Sequence, residues 1–369
     1  MRVVMFYHSL ESDWNHGNAH FLRGVVAELT SSGHTVRVLE PRDGWSRANL
    51  LADHGSSAID GFRAAYSTLR SESYDEASLD LDAVLADADL VIVHEWNTPA
   101  LVARIGRHRA THQYRLLFHD THHRAVTDPA SMAAYDLRHY DGVLAFGDVI
   151  RDLYLRRGWA ARAWTWHEAA DRRVFYPRTP QTGERRDVVW IGNWGDDERT
   201  EELETFLIRP IEALGLTATV YGVRFPQAAR ERLARAGIEY GGWLPNYAVP
   251  EVFARHKVTI HVPRRPYVDA IPGVPTIRPF EALACGIALI SARWDQTGGL
   301  FTPGEDFLVV RDAEEMRDQL RLLVSDAGAR SALTARGLST VIARHTCSHR
   351  VAELAGICDE LDSELAATA

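Results

Sequence analysis

Short apolar runs alternate with helical periods along this chain, stop at a polar seam, and then start again. In the first half, residues 2–7, 35–39, 90–93, 115–118 and 142–146 read as strands. Between the first two, residues 19–31 place Phe21, Val25, Val26 and Leu29 at helical spacing, and Gly33 closes the pattern. Residues 43–73 are mixed and partly helical; 79–86, 99–107 and 149–157 read as further helices. Parallel neighbours need a crossover, so this order predicts a parallel sheet with helices on both faces. Residues 167–183, HEAADRRVFYPRTPQTG, are polar and contain proline, which suits a linker. The alternation then resumes. Residues 187–191, 217–221, 258–262, 287–290 and 307–310 read as strands, and 201–214, 227–236, 247–256 and 313–325 as helices. The tail from 330 to 369 is Ala-rich and helical. The pattern predicts two α/β domains of similar size with a cleft between them.

Composition narrows the function classes. The chain has 369 residues, enough for two cores, and is 46% hydrophobic and 25% charged. Its net charge of −9 provides no global basic field for nucleic acid. Cys285, Cys347 and Cys358 show no paired spacing, which fits small buried residues in a reducing compartment. The start, MRVVMFYHSL, reads as a first strand rather than a signal peptide, and no run approaches a membrane span. The 10 tryptophans serve either core packing or sugar stacking, and packing is the commoner fate.

In open parallel sheets, ligands bind at the carboxyl ends of strands. The candidate loops in the first half are those holding Gly17, then His94-Glu95-Trp96, then His119 to His123. His119, Asp120 and His122 are the candidate catalytic groups, because a histidine there can act as a general base or bind a hydroxyl or phosphate. The alternative is a polar loop in which Asp120 and Thr121 cap the next helix. A metal is not expected, since no further carboxylates complete a ligand set. In the second half, Gly192 follows a strand, where backbone can approach a phosphate, and Arg199 lies seven residues on. The alternative is a turn leading into an acidic helical start formed by Asp196, Asp197, Glu198, Glu201 and Glu202. Trp190, Trp194 and Trp243 stand near these loops.

The segment TIRPFEALACGIALI, residues 276–290, is the most informative. Arg278 and Glu281 share a helical face, and the helix start at Thr276 presents backbone N–H groups. Arg278 can clamp phosphate and Glu281 can accept from ribose hydroxyls. A capped helix with an i,i+3 salt bridge is the alternative. Cys285-Gly286 ends the helix ahead of a strand.

Taken in order, these pieces resemble the GT-B glycosyltransferases of the family 4-like kind that includes the spore maturation CgeB-like proteins. The matching stretches are FLRGVVAELTSSGHTVRVLEP, ADLVIVHEW, RLLFHDTHH, HEAADRRVFYP, VVWIGNW, RPFEALACGIALIS and FTPGEDFLVVRDAEEM. The resemblance implies an α/β GT-B architecture, two Rossmann-like domains with parallel sheets facing a central cleft. It places an acceptor-side domain at 1–170, a linker at 171–183, a nucleotide-sugar domain at 184–340 and a tail at 341–369 that crosses back. It implies a UDP- or GDP-type sugar donor, with no separate cofactor and no metal. Glu281 would bind ribose; Arg278 and the backbone at 276–278 would meet the diphosphate. Arg199 would bind phosphate, His119 the donor sugar or diphosphate, and Gly17 would approach both. Two positions depart from the family pattern: Gly273 stands where a second Glu is usual, and Asn193 follows Gly192 where an Arg is usual. Both departures match the CgeB-like branch better.

The expected function is sugar transfer from a nucleoside diphosphate to a glycan, lipid-linked or small-molecule acceptor, metal-independent and with retention of configuration, in the cytoplasm. No nucleic-acid partner is expected. The alternatives are a nucleotide-sugar-binding protein without turnover and a sugar-nucleotide epimerase. A nicotinamide oxidoreductase is disfavoured by the lack of a GxGxxG after a strand.

Overall fold

The computed structural model describes residues 1–179, 185–195, 197–295 and 299–368. The chain divides into two compact units, Met1–Glu168 with Cys347–Ala369, and Ala169–Thr346. The divisions fall after Glu168 and Thr346, not at 170 and 341.

Among the described residues, the first unit holds seven parallel strands. They are β1 (Arg2–Phe6), β2 (Thr35–Pro41), β3 (Glu72–Tyr74), β4 (Leu90–His94), β5 (Arg115–Asp120), β6 (Gly142–Ala145) and β7 (Ala163–Thr165). Their order is β3-β2-β1-β4-β5-β6-β7. β4 is buried along its whole length, which explains its unbroken apolar sequence. The chain reverses its direction of growth between β1 and β4, so the loops after those strands flank a switch point. β3 and β7 have three residues each, too few to show an alternation in the sequence.

The last helix, Cys347–Thr368, belongs to this unit and packs on the helix Ala19–Ser31. Arg115 forks onto Asp362, with Nε 2.8 Å from Oδ1. Trp166 Nε1 donates to the Arg350 carbonyl at 2.8 Å. The tail is therefore not one helix. It breaks between Ala327–Arg344 and Cys347–Thr368, where Ala170 N–H donates to the His345 carbonyl at 3.0 Å. The seam is likewise no loose linker over its first part, because Ala169, Ala170 and Phe175 are fully buried. Residues 180–183 of that seam lie outside the described residues.

The second unit repeats the topology. β8 (Arg186–Ile191), β9 (Ala218–Tyr221), β10 (Glu239–Tyr240), β11 (His256–His261), β12 (Ala288–Ala292) and β13 (Leu308–Val310) run parallel. Their order, β10-β9-β8-β11-β12-β13, puts the switch point between β8 and β11. Trp190 and Trp194 join the core of this unit with Val188, Ile260 and Ile290, so neither offers a free ring for stacking. Two helices differ from expectation. Residues 201–214 contain a π turn, Glu204–Ile208, just before Pro210, which has no N–H to continue an α ladder. The helix expected to reach 256 ends at Ala254. His256 instead opens β11 and its Nδ1 donates to the Val252 carbonyl at 2.7 Å.

Candidate functional site

At the switch point of the second unit, three arginines converge from separate segments. Arg199 is the N-cap residue of the helix Thr200–Leu203. Its Nη1 donates to the Val262 carbonyl at 2.8 Å, and its Nη2 to the Asn193 carbonyl and Oδ1 at 2.6 and 3.1 Å. The Trp190 ring supports its guanidinium at 5.0 Å. Arg264, after β11, donates to the same Asn193 Oδ1 at 2.7 Å and to Glu198 at 3.0 Å. Arg278 pairs with Glu281 in the helix Ile277–Ala284. Among the described residues the hydrogen bonds of Arg199 therefore go to neutral oxygens, while Arg264 and Arg278 each hold a carboxylate. Burial pulls the Arg199 guanidinium down to about 9, with the charges of Arg264 and Arg278 adding to the effect. A guanidinium does not give up its proton under such conditions, so the shift marks a cation short of an anion.

The helix Ile277–Ala284 is apolar on nearly every side and buried except at Arg278. Thr276 is its N-cap residue, and no side chain caps its first turn. The Thr276 hydroxyl is 3.3 Å from His261 Nε2. His261 Nδ1 is 2.9 Å from Ser291 Oγ, which itself donates to the Ala292 carbonyl at 2.8 Å. Ser291 therefore accepts from Nδ1–H, and His261 Nε2 accepts from Thr276. Burial, then the charges of Arg199 and Arg278, lower His261 to about 3 and keep it neutral. This relay turns the Thr276 lone pairs away from the histidine and leaves the first-turn N–H groups uncapped. Glu281 is fully buried; Oε1 accepts from Asn246 Nδ2 at 2.8 Å, and Oε2 faces Arg278. The i,i+3 salt bridge and the uncapped helix start thus coexist.

A Cβ on Gly192 would stand 3.0 Å from Arg199 Nη2 and from the Trp190 ring, closer than ordinary contact, and the Gly192 carbonyl faces Gly222. Gly273, in place of the family's second Glu, is buried with φ +80° and donates its N–H to the Asp295 carbonyl at 2.9 Å. Of the acidic run, Asp197 takes φ +68° in the turn, and Glu201 and Glu202 occupy the first helical turn. Asp196 lies outside the described residues.

The first unit gathers histidines at its own switch point. His8 follows β1 and stacks edge-on with His16 at 4.8 Å; His94 ends β4, with His119 of β5 at 5.4 Å. His119 is fully buried between Phe21, His94 and Trp166, and neither ring nitrogen has a hydrogen-bond partner. Burial lowers it to about 3. Asp120 is also fully buried. Its carboxylate accepts from Tyr154 Oη at 2.8 Å and from the His122 N–H at 3.0 Å, and burial next to Glu95 raises its pKa. Asp120 therefore holds the start of the loop in place through the His122 N–H and Tyr154. Neither it nor Thr121 caps the following helix; Thr121 instead joins Glu95 and His94. His122 is half-buried and packs on Trp96, which is 41% exposed and has Arg124 over its ring at 4.0 Å. Gly17 is exposed next to buried His16. His119 and Asp120 end β5 and His122 follows in the loop, and of the three only His122 reaches the surface.

The stretch from His261 to Glu281 is a candidate by its place after a strand, which covers His261 and Arg264 without giving either a role; Asn246 is not singled out by the sequence. A pair of arginines directly after a strand, in VPRRP, was the available signal for Arg264.

Comparisons agree with this layout. The Glycosyl transferase-like family model matches residues 199–356. No curated protein matches the sequence. Among solved structures, sucrose-phosphate synthase from Thermosynechococcus elongatus aligns with 99% of this chain and 100% of its own, at 14% identity and TM-score 0.67. An alpha-glucosyltransferase in complex with UDP-glucose and DNA containing an abasic site aligns at 14% identity and TM-score 0.73, covering 97% of this chain and 99% of its own. Anabaena HepE in complex with UDP and glucose aligns at 14% identity and TM-score 0.67, over 96% and 99%. No described helix is long and apolar enough to cross a membrane. The chain thus has a GT-B fold, and its residues 199–356 match the Glycosyl transferase-like family model.

Proposed function

We propose that the protein transfers a sugar from a UDP- or GDP-type donor to a non-nucleic-acid acceptor. One observation carries the reading: Arg199 is a half-buried cation that, among the described residues, bonds only neutral oxygens, held beside Arg264, Arg278 and an uncapped helix start. A diphosphate supplies the missing anion. In this reading the backbone at 276–278 and Arg278 meet the diphosphate, and Glu281 accepts from the ribose. Arg264 delivers the charge that Asn193 lacks, since Asn193 Oδ1 orients both guanidiniums. Three cations and a helix dipole stabilise the leaving diphosphate, so the transfer needs no metal. Retention of configuration follows from the family 4-like resemblance, and Gly273 with Asn193 favours its CgeB-like branch.

The first unit holds the acceptor. Trp96 offers an exposed ring to a sugar or an apolar group, and His122 stands at its edge. The alpha-glucosyltransferase was solved with DNA, but a net charge of −9 opposes a polyanionic acceptor here. A glycan, lipid-linked or small-molecule acceptor fits better, in the cytoplasm. Gly273 favours a second reading, a nucleotide-sugar-binding protein without turnover.

The test is release of UDP or GDP from UDP-glucose, UDP-N-acetylglucosamine and GDP-mannose across an acceptor panel. Acceptor-dependent release, reduced at least about tenfold in Glu281→Ala, is expected. Binding without release supports the second reading, and an epimerised donor without acceptor overturns the transferase.

A further inference from the structure

A side-chain cluster at the end of the helix Pro99–Arg109 belongs to neither switch point. His108 lies in the last turn of that helix and His112 follows in the next turn, an H-x-x-x-H spacing. Their rings lie parallel, 3.9 Å apart. Asp82, on the helix Leu81–Leu85, faces both: its Oδ1 is 3.1 Å from His108 Nε2 and 3.8 Å from His112 Nε2. One ligand atom from each residue lies within 4.8 Å of the other two.

The opposite ring nitrogens are held from behind. His112 Nδ1 is 2.9 Å from the His108 carbonyl, which can only accept. Nδ1 therefore carries the proton, and Nε2 presents a lone pair toward Asp82. His108 Nδ1 is 3.0 Å from Tyr114 Oη, and that phenol has the Ile105 carbonyl 3.4 Å away for its own hydrogen. Either Oη or Nδ1 can donate in that contact, so His108 Nε2 presents a proton to Asp82 in one tautomer and a lone pair in the other, the form that binds a metal. Anchoring the far N–H on a carbonyl or hydroxyl is the pattern that orients metal-binding histidines. Asp82 Oδ1 and the two Nε2 atoms thus face one another, and either a proton on His108 Nε2 or a metal cation can bridge them.

We propose that Asp82, His108 and His112 bind a divalent transition metal of the zinc class. Two imidazoles and one carboxylate suit zinc, nickel or copper better than magnesium or calcium. Metal–ligand bonds of about 2.0–2.2 Å require the three side chains to draw in and the parallel rings to splay. Asp82 is exposed and can turn, while His108 is held by Tyr114 and the exposed His112 pivots on its bond to the His108 carbonyl. Arg109 is the cation beside the cluster; it donates to the His112 carbonyl at 3.2 Å and pairs with Asp141, which offsets its charge. Water completes the coordination. The ion clips the helix Leu81–Leu85 to the end of Pro99–Arg109, apart from the donor chemistry.

Chelator-treated full-length protein is titrated with Zn2+ and Co2+ at pH 7.5 by calorimetry and visible absorption. The first unit's other histidines can also bind metal, so a His8→Ala/His122→Ala variant serves as the background control. The wild type and this control should show one site that His112→Ala and Asp82→Asn each weaken at least about tenfold, the loss typical of a broken metal site. His112 and Asp82 are exposed, so these variants fold. Unchanged zinc affinity and stoichiometry in His112→Ala and Asp82→Asn would overturn the proposal. So would the absence of zinc binding at millimolar metal, which would leave a plain His108–Asp82 hydrogen bond.

Discussion

Gly222 and Gly192 meet through the space that a side chain would fill. A Cβ on Gly222 would stand 1.9 Å from the Gly192 carbonyl oxygen, and Gly222 has φ +148°. The Gly222 N–H donates to the Gly242 carbonyl at 2.7 Å, which fixes it in place. This contact lets the ends of β8 and β9 close on each other and sets the path of Asn193. Gly222→Ala should cost about 3 kcal/mol through strain and clash, read from denaturant midpoints. It should also weaken nucleotide binding, because Asn193 aligns Arg199 and Arg264. An alanine variant of unchanged stability would contradict the packing described.

His119 separates function from packing. Its two ring nitrogens are buried without partners, a state that costs stability. His119→Leu should therefore hold or raise the melting temperature while lowering turnover. A variant that unfolds, or one that turns over normally, would remove the functional assignment.

Arg23 fastens the loop that carries Gly17. It is fully buried and donates to the Leu10 carbonyl, to Asp13 and to the Glu11 carbonyl at 2.8, 2.9 and 2.9 Å. Phe62 and Tyr66 lie against its guanidinium at 4.7 and 5.1 Å. Arg23→Ala should cost about 3–5 kcal/mol, because Asp13 and two carbonyls lose their partner in the interior. Urea unfolding measures this, and a loss under about 1 kcal/mol would be inconsistent with the network.

Acid should destabilise the fold. Burial lowers His8 and His167 to about 4 and His119 and His261 to about 3, and pulls His16 and His94 down as well. These rings are neutral when folded but titrate near 6.5 when unfolded, so the unfolded chain gains protons first as pH falls. Stability is complete above 6.5 and is lost below it, by about 1.4 kcal/mol per pH unit for each ring. Glu40, raised to about 7 by burial, and Asp120, also raised, act in the opposite direction. Their folded forms keep a proton that the unfolded chain sheds above about 4.5, so they favour acid. Six rings outweigh two carboxyls. The melting temperature should drop between pH 7 and pH 5, and a flat profile would refute the burial of the histidines as neutral groups.

The segment proposed to hold the donor was legible because its signals are local. Arg278 and Glu281 are three residues apart, and Gly286 ends the helix with φ +65°, as its place after Cys285 suggests. Its partners were not legible. Arg264 reaches Asn193 across 71 positions and Asn246 reaches Glu281 across 35, and only the strand order brings them together. The same limit hid the depth of His119. Its place at a strand end was readable, but its enclosure by Phe21 and Trp166 depends on a helix and on the residue after β7, both far away in sequence. The π turn before Pro210 and the break at His345 are local departures from periodicity that tertiary packing permits.

Calorimetric titration with UDP and GDP tests the central claim most directly. The account predicts saturable binding of at least one nucleotide, weakened about tenfold or more in Arg199→Ala and in Arg264→Ala, with the loss reduced at high salt. Absence of binding by either nucleotide, or equal affinity in the wild type and both variants, would contradict it.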